Sequence, residues 1–79
     1  MTKEEIRTRV KIVLTKVLKI DIETITDDIS QMELSDWDSV RHMNVILALE
    51  NEFDIEFDDA ELPKLTSLFI IVESIYRQK

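Results

Sequence analysis

A chain of 79 residues without cysteine or glycine is excluded from several classes of protein. It can form no disulfide or thiolate metal site, and it lacks the glycine-rich loops that bind nucleotide phosphates and the glycine-flanked serine of many hydrolases. Its net charge of −7 argues against nucleic acid as a partner, because the phosphates would be repelled.

The first predicted helix runs from about Lys3 to Leu18. Thr2 and Glu5 have the spacing of a capping box at its start. Its apolar residues recur at helical spacing and form one stripe that includes Ile6, Val10, Val13, Leu14 and Val17. The basic residues of this helix lie mostly off the stripe, and we interpret them as a solvated face rather than as a binding patch.

Charge is distributed unevenly along the chain. Residues 1–20 carry six basic and two acidic side chains, whereas residues 21–62 carry fourteen acidic side chains and one basic one, Arg41. Such an acidic field favours a partner with a basic docking surface, because complementary fields speed encounter and select partners.

Residues 19–38 follow neither a helical nor a strand period. A loop of this length in a small domain usually has packing of its own or a function. We expect five apolar residues to anchor it on the core, namely Ile20, Ile22, Ile25, Ile29 and Leu34.

The second predicted helix begins at Ser39 or Val40 and ends at Phe53. It has two apolar faces on a helical wheel. One face contains Val45, Ile46, Leu49 and Phe53, and the other contains Val40, Met43 and Leu47. The second face is either covered by the long loop or exposed for a partner, and the sequence leaves both open.

The remaining residues predict one short and one longer helix. The stretch "FDDAELP" is interpreted as a short third helix that Asp58 or Asp59 caps and Pro63 ends. The last helix follows Thr66 and runs to about Arg77, with a core stripe of Leu68, Ile71, Val72 and Ile75. The predicted fold is all-α, a small four-helix bundle of three longer helices and one short one, in a single domain over residues 1–79.

Ser39 is the candidate site residue, because it stands at the start of the second helix. Local sequence alone favours a helix N-cap. A nucleophile paired with His42 is disfavoured, since it would need an oxyanion hole and an orienting group. The acidic run from Asp54 to Glu61 lacks the glycine of a calcium loop, so we predict no dedicated metal site.

The stretches "DSV", "ILALENEFDIEF" and "LTSLFIIVESI" occur in this order and resemble the acyl carrier proteins over nearly the whole chain. In that family the serine bears 4′-phosphopantetheine. The resemblance therefore implies that Ser39 carries this arm and that Asp38 helps to recruit the phosphopantetheinyl transferase. It implies a discrete carrier, not an enzyme, that holds acyl intermediates as thioesters and delivers them between biosynthetic enzymes.

The resemblance also implies a docking face on the second helix for an acyl-loading ligase or transferase and for downstream enzymes. Its predicted members are Val40, Arg41, Met43, Leu47, Glu50 and Asp54. Arg41 either pairs with a nearby acid such as Asp38 or keeps enzymes of general fatty-acid synthesis away. We expect a cytoplasmic monomer without membrane insertion, since no apolar run reaches the roughly 20 residues of a membrane span.

The residues before the serine depart from the fatty-acid type, which usually has a glycine there. The "WDS" form looks more like specialised, stand-alone carriers. Trp37 is predicted to anchor the loop by packing, with contact to the arm or its cargo as the alternative. Two other functions stay open: a peptidyl or aminoacyl carrier, and a small acidic helical adaptor that binds a partner through its second helix without a cofactor.

Overall fold

Three α-helices form the framework of the molecule. The computed structural model describes residues 1–78, in which α1 spans Lys3–Leu18, α2 spans Ser39–Phe53 and α3 spans Leu68–Gln78. Single 3-10 turns interrupt the connecting segments at Ile22–Thr24, Gln31–Glu33 and Leu62–Lys64. Within this part of the chain no strand forms beyond an isolated bridge. The all-α fold class is confirmed.

Local signals account for the bounds of α1 and α2. The Thr2 hydroxyl accepts a hydrogen bond from the Glu5 backbone, and the Glu5 carboxylate accepts one from the Thr2 backbone, so the capping box is confirmed. At their other ends, α1 and α2 stop at Lys19 and Asp54, which adopt left-handed backbone angles with φ of 56° and 54°. Glycine usually occupies this position, and this chain has none.

The core is built from one apolar stripe on each helix. α1 packs against both α2 and α3. The predicted stripes of α2 and α3 are buried throughout, and that of α1 is buried except for the half-buried Val17. Trp37 joins this core from the long loop and is almost completely buried, which confirms it as a packing anchor.

The predicted loop anchors are correct in part. Ile25 and Ile29 are buried, and Ile20 and Leu34 pack partly against the core. Ile22 is wrong as an anchor, because 49% of its surface is exposed. It opens a 3-10 turn, and the residue after that turn, Ile25, occupies the core instead.

The short third helix takes a different form from the one predicted. Residues 59–61 form turns, and a single 3-10 turn, Leu62–Lys64, follows them. Pro63 lies inside this element and does not end it. A proline fits the first turn of a helix because its missing N–H would have no partner there.

Backbone hydrogen bonds tie the long loop to the start of α3. The Gln31 N–H donates to the Thr66 carbonyl at 2.7 Å, and the Leu68 N–H donates to the Ile29 carbonyl at 3.0 Å. These two bonds flank an antiparallel bridge between Ser30 and Ser67. They hold the long loop, which leads into α2, against the segment that leads into α3.

The basic face of α1 forms ion pairs with other elements. Lys3 pairs with Glu73 at 2.7 Å, Arg9 with Glu52 at 3.6 Å and Lys11 with Asp27 at 2.6 Å. The hydrogen bond and the charge of Lys11 lower the pKa of Asp27. The interpretation of this face as merely solvated is therefore incomplete, since its bases neutralise acids of the rest of the fold.

Candidate functional site at the start of α2

Asp38, rather than Ser39, caps α2. Its backbone is extended, and its Oδ1 accepts a hydrogen bond from the Arg41 N–H at 2.8 Å. The N-cap role predicted for Ser39 from local sequence is therefore wrong, because the adjacent aspartate performs it one residue earlier. Ser39 is the first residue of the helix and is exposed, so its hydroxyl is not needed for capping.

Arg41 folds back over the cap. Its Nη1 lies 3.2 Å from Asp38 Oδ2 and 3.4 Å from the Asp36 carbonyl oxygen. The ion pair considered for Arg41 is therefore present. Asp38 uses one carboxylate oxygen for the helix backbone and the other for the guanidinium, so its charge is partly compensated beside Ser39.

His42 is turned into the protein and away from Ser39. The Trp37 Nε1–H donates to His42 Nδ1 at 3.0 Å, and His42 Nε2 lies 2.9 Å from the Leu62 carbonyl oxygen. Because Nδ1 accepts, Nε2 carries the proton and donates to the carbonyl. Trp37 and His42 are only 1% and 8% exposed. With both ring nitrogens occupied, His42 cannot deprotonate Ser39.

This network links three segments around the start of α2, and sequence reasoning missed it. The tryptophan comes from the long loop, the histidine from α2 and the carbonyl from the 3-10 turn after α2. A tryptophan before a predicted helix and a histidine in its first turns were the available signal. The acceptor carbonyl carries no signature in the sequence.

The second apolar face of α2 is exposed. Val40, Met43 and Leu47 are 74%, 45% and 59% exposed, so the long loop does not cover them. Of the other predicted docking residues, Arg41 is exposed and pairs with Asp38. We call Val40, Met43 and Leu47 the outer stripe of α2, and partner binding by it stays a prediction.

The two acidic residues of the predicted docking face lie at the other end of α2. Glu50 is half-buried, and its Oε2 accepts a hydrogen bond from the Phe57 N–H at 2.9 Å. Asp54 is the exposed left-handed residue that ends the helix. Glu50 therefore holds the segment after α2, whereas the side chain of Asp54 is exposed.

Neither a metal-binding cluster nor a membrane-spanning helix occurs among the described residues. Among residues 1–78, no three histidine, aspartate or glutamate side chains cluster closely enough to hold a metal ion. Over the same residues, each helix is too short or too polar to cross a membrane.

Sequence comparison with known proteins identifies the family of this chain. No family model matches the chain. The acyl carrier protein of Petrotoga mobilis is 32% identical over 68 residues, which cover 86% of this chain and 80% of that protein. The polyketide-8 synthase acyl carrier protein 2 of Streptomyces avermitilis is 35% identical over 86% of this chain and 74% of its own length. The acyl carrier protein of Thermotoga maritima is 27% identical over 98% of this chain and 95% of its own. The chain belongs to the acyl carrier protein family.

Proposed function

We propose that Ser39 is the attachment point of a 4′-phosphopantetheine arm and that the protein carries acyl intermediates on it between biosynthetic enzymes. The observation that supports this most strongly is the pairing of an exposed Ser39 with an Asp38 that has taken over the capping role. The hydroxyl is thereby free to be modified without loss of a helix cap.

The surroundings of Ser39 suit a tether better than a nucleophile. The hydroxyl sits on the first turn of a 15-residue helix that is held on its inner side by the Trp37–His42 hydrogen bond. That bond and the contact with Leu62 occupy both imidazole nitrogens, so His42 does not serve Ser39 as a base. A carrier needs no such base, because a phosphopantetheinyl transferase supplies the activation.

In the loading reaction, the serine is the only group of this chain that reacts. The Ser39 Oγ–phosphorus bond forms as the pyrophosphate bond of coenzyme A breaks, adenosine 3′,5′-bisphosphate leaves, and the hydroxyl proton passes to the transferase. When bound, the arm supplies a terminal thiol that holds the acyl group as a thioester.

The electrostatics at Ser39 can accommodate a phosphodiester. Unpaired N–H groups and the helix dipole at the start of α2 favour a negative group by about 0.3–1 kcal/mol. Asp38 opposes this, but its carboxylate is already bound to the Arg41 guanidinium. The residues present therefore fit the arm, with Arg41 reducing the repulsion from Asp38.

We assign contact with the transferase, the acyl-loading enzyme and the downstream enzymes to the outer stripe of α2. Three exposed aliphatic side chains on one face of the helix that bears Ser39 would bring a partner's active site close to the tether. Arg41 and Asp54 flank the stripe and would contribute charge at its edges.

Intact mass spectrometry tests the proposal. Incubation with coenzyme A and a broad-specificity transferase should add the mass of one phosphopantetheine, and Ser39→Ala should add none. Thr8→Ala, which removes an exposed hydroxyl from α1, is the matched control and should load like the wild type. An unmodified wild type would favour a cofactor-free adaptor, and a loaded Ser39→Ala variant would overturn the assignment of Ser39.

A further inference from the structure

An open groove of about 500 Å³ lies beside Ser39, on the side of the long loop. Ser39 itself forms part of its lining, together with Gln31, Leu34, Trp37 and Thr66. The volume falls within the range of small-molecule sites, about 300–1,000 Å³. Resting on the proposed function, we infer that this groove is the docking site for the arm attached to Ser39.

The lining matches the alternation of groups along the arm. Phosphopantetheine carries a gem-dimethyl group next to the phosphate, then a hydroxyl and two amides, and ends in a thiol. The groove offers apolar surface from the half-buried Leu34 and from the exposed rim residue Met32, and the buried Trp37 lies beneath them. Gln31 and Thr66 add an amide and a hydroxyl, which can bind the two amides of the arm.

The walls of the groove are fixed before any arm is present. Gln31 comes from the long loop and Thr66 from the segment before α3, and a 2.7 Å backbone hydrogen bond joins them. Trp37 is held in place by its 3.0 Å bond to His42. A pre-formed site loses little conformational freedom on binding, which favours docking of a flexible tethered chain.

A second surface competes for the same role, namely the outer stripe of α2. Its side chains are aliphatic and offer no hydrogen-bonding group to the amides of the arm. An arm in the groove would leave this stripe uncovered for a partner enzyme. The location of the arm on the loop side of Ser39 therefore also separates the cargo from the docking surface.

Nuclear magnetic resonance of the loaded protein tests this directly. The protein is labelled with ¹³C and ¹⁵N and loaded from unlabelled coenzyme A, and complete loading is verified by intact mass. Filtered nuclear Overhauser spectra then detect contacts between the arm and the protein. We expect the gem-dimethyl protons to contact Met32 and Leu34, and the amide signals of Gln31 and Thr66 to shift on loading.

Variants sharpen the result without disturbing the core. Gln31→Ala and Thr66→Val each remove one hydrogen-bonding group and should reduce the contacts between the arm and the groove. Gln78→Ala, at the end of α3 and outside the groove, should leave them unchanged.

The measurements separate failure of the inference about the groove from failure of the proposed function. Contacts with Val40, Met43 or Leu47 in place of the groove would overturn the inference, as would a loaded protein in which the arm contacts nothing. Failure to load at all would instead overturn the proposed function, and the mass measurement distinguishes that case.

Discussion

Helices α1 and α2 have nearly the same length, 16 and 15 residues, and each buries one apolar stripe. Their outer faces differ. Three bases of α1 form ion pairs with acids elsewhere in the described chain, including Glu52 of α2, whereas Arg41 of α2 pairs with Asp38 at the start of its own helix. α2 instead exposes three large aliphatic side chains. The outer face of α1 is used within the molecule, and that of α2 stays exposed, as the proposed docking role requires.

The two outer faces also differ in the free energy that they contribute to the isolated protein. Ion pairs between partly exposed side chains contribute at most about 1 kcal/mol each. Full burial of one aliphatic side chain is favourable by about 1.5–3 kcal/mol, and Val40 and Leu47 forgo most of this in the isolated protein. Part of that free energy becomes available when a partner covers them.

Loss of His42 should produce the largest effect, because it detaches α2 from its neighbours. His42→Leu leaves the Trp37 N–H and the Leu62 carbonyl without their partner, and each orphaned group costs about 1–3 kcal/mol. Urea unfolding should show a loss of about 2 kcal/mol or more. Met43→Leu, one residue along and exposed, should stay within about 0.5 kcal/mol of the wild type. A His42 variant as stable as that control would contradict the role of the network.

A negative charge on the outer stripe of α2 should weaken recognition by the transferase, whereas the same charge on α1 should not. Leu47→Asp should leave stability nearly unchanged but lower kcat/KM for loading by the transferase about five- to thirtyfold, equivalent to about 1–2 kcal/mol. Ile12→Asp places the same charge on α1 and should load normally. Equal losses in the two variants would mean that total charge, not the outer stripe, limits recognition.

The ends of the two helices provide a subtler comparison. Lys19 holds a left-handed conformation that costs a residue with a Cβ atom about 1–2 kcal/mol, whereas aspartate at position 54 tolerates it better. Lys19→Gly should therefore raise the unfolding free energy by about 1 kcal/mol, and Asp54→Gly by less. Lys19→Ala removes the same charge but keeps the Cβ atom, and it should show no gain in a denaturant titration. A gain as large with alanine would assign the effect to charge.

The smallest effect concerns the ion pairs of α1. The folded-state pKa of Asp27 is lowered by the hydrogen bond and charge of Lys11, so the pair stabilises the fold above the unfolded pKa of Asp27. This contribution is lost as the pH falls through the folded pKa. Lys11→Met should raise the pKa of Asp27 toward its ordinary value in a carbon-detected titration. Lys16→Met, on the same helix, should not change it, and an unchanged value in Lys11→Met would refute the pairing.

The parts of the fold that depend on local patterns could be predicted from the sequence. The bounds of α1 and α2 follow from a capping residue and a periodic stripe, and both were predicted correctly. Local sequence favoured Ser39 as the cap of α2, and this was wrong because Asp38, which caps as well, stands one residue earlier. The hydrogen bond of His42 to Leu62 depends on where a distant turn places a carbonyl, which no local pattern encodes.

The hydrogen bonds between the long loop and the start of α3 also determine when, during synthesis, the segment before Ser39 can reach its folded position. A ribosome delivers Ser39 well before Leu68, because synthesis runs from the N-terminus. Until Thr66 and Leu68 emerge, the Gln31 N–H and the Ile29 carbonyl lack their partners, and the segment leading to Ser39 is not yet held. A modifying enzyme that recognises the finished surroundings of the serine meets them only after α3 has left the ribosome. The proposed attachment at Ser39 would therefore follow translation of the helical core.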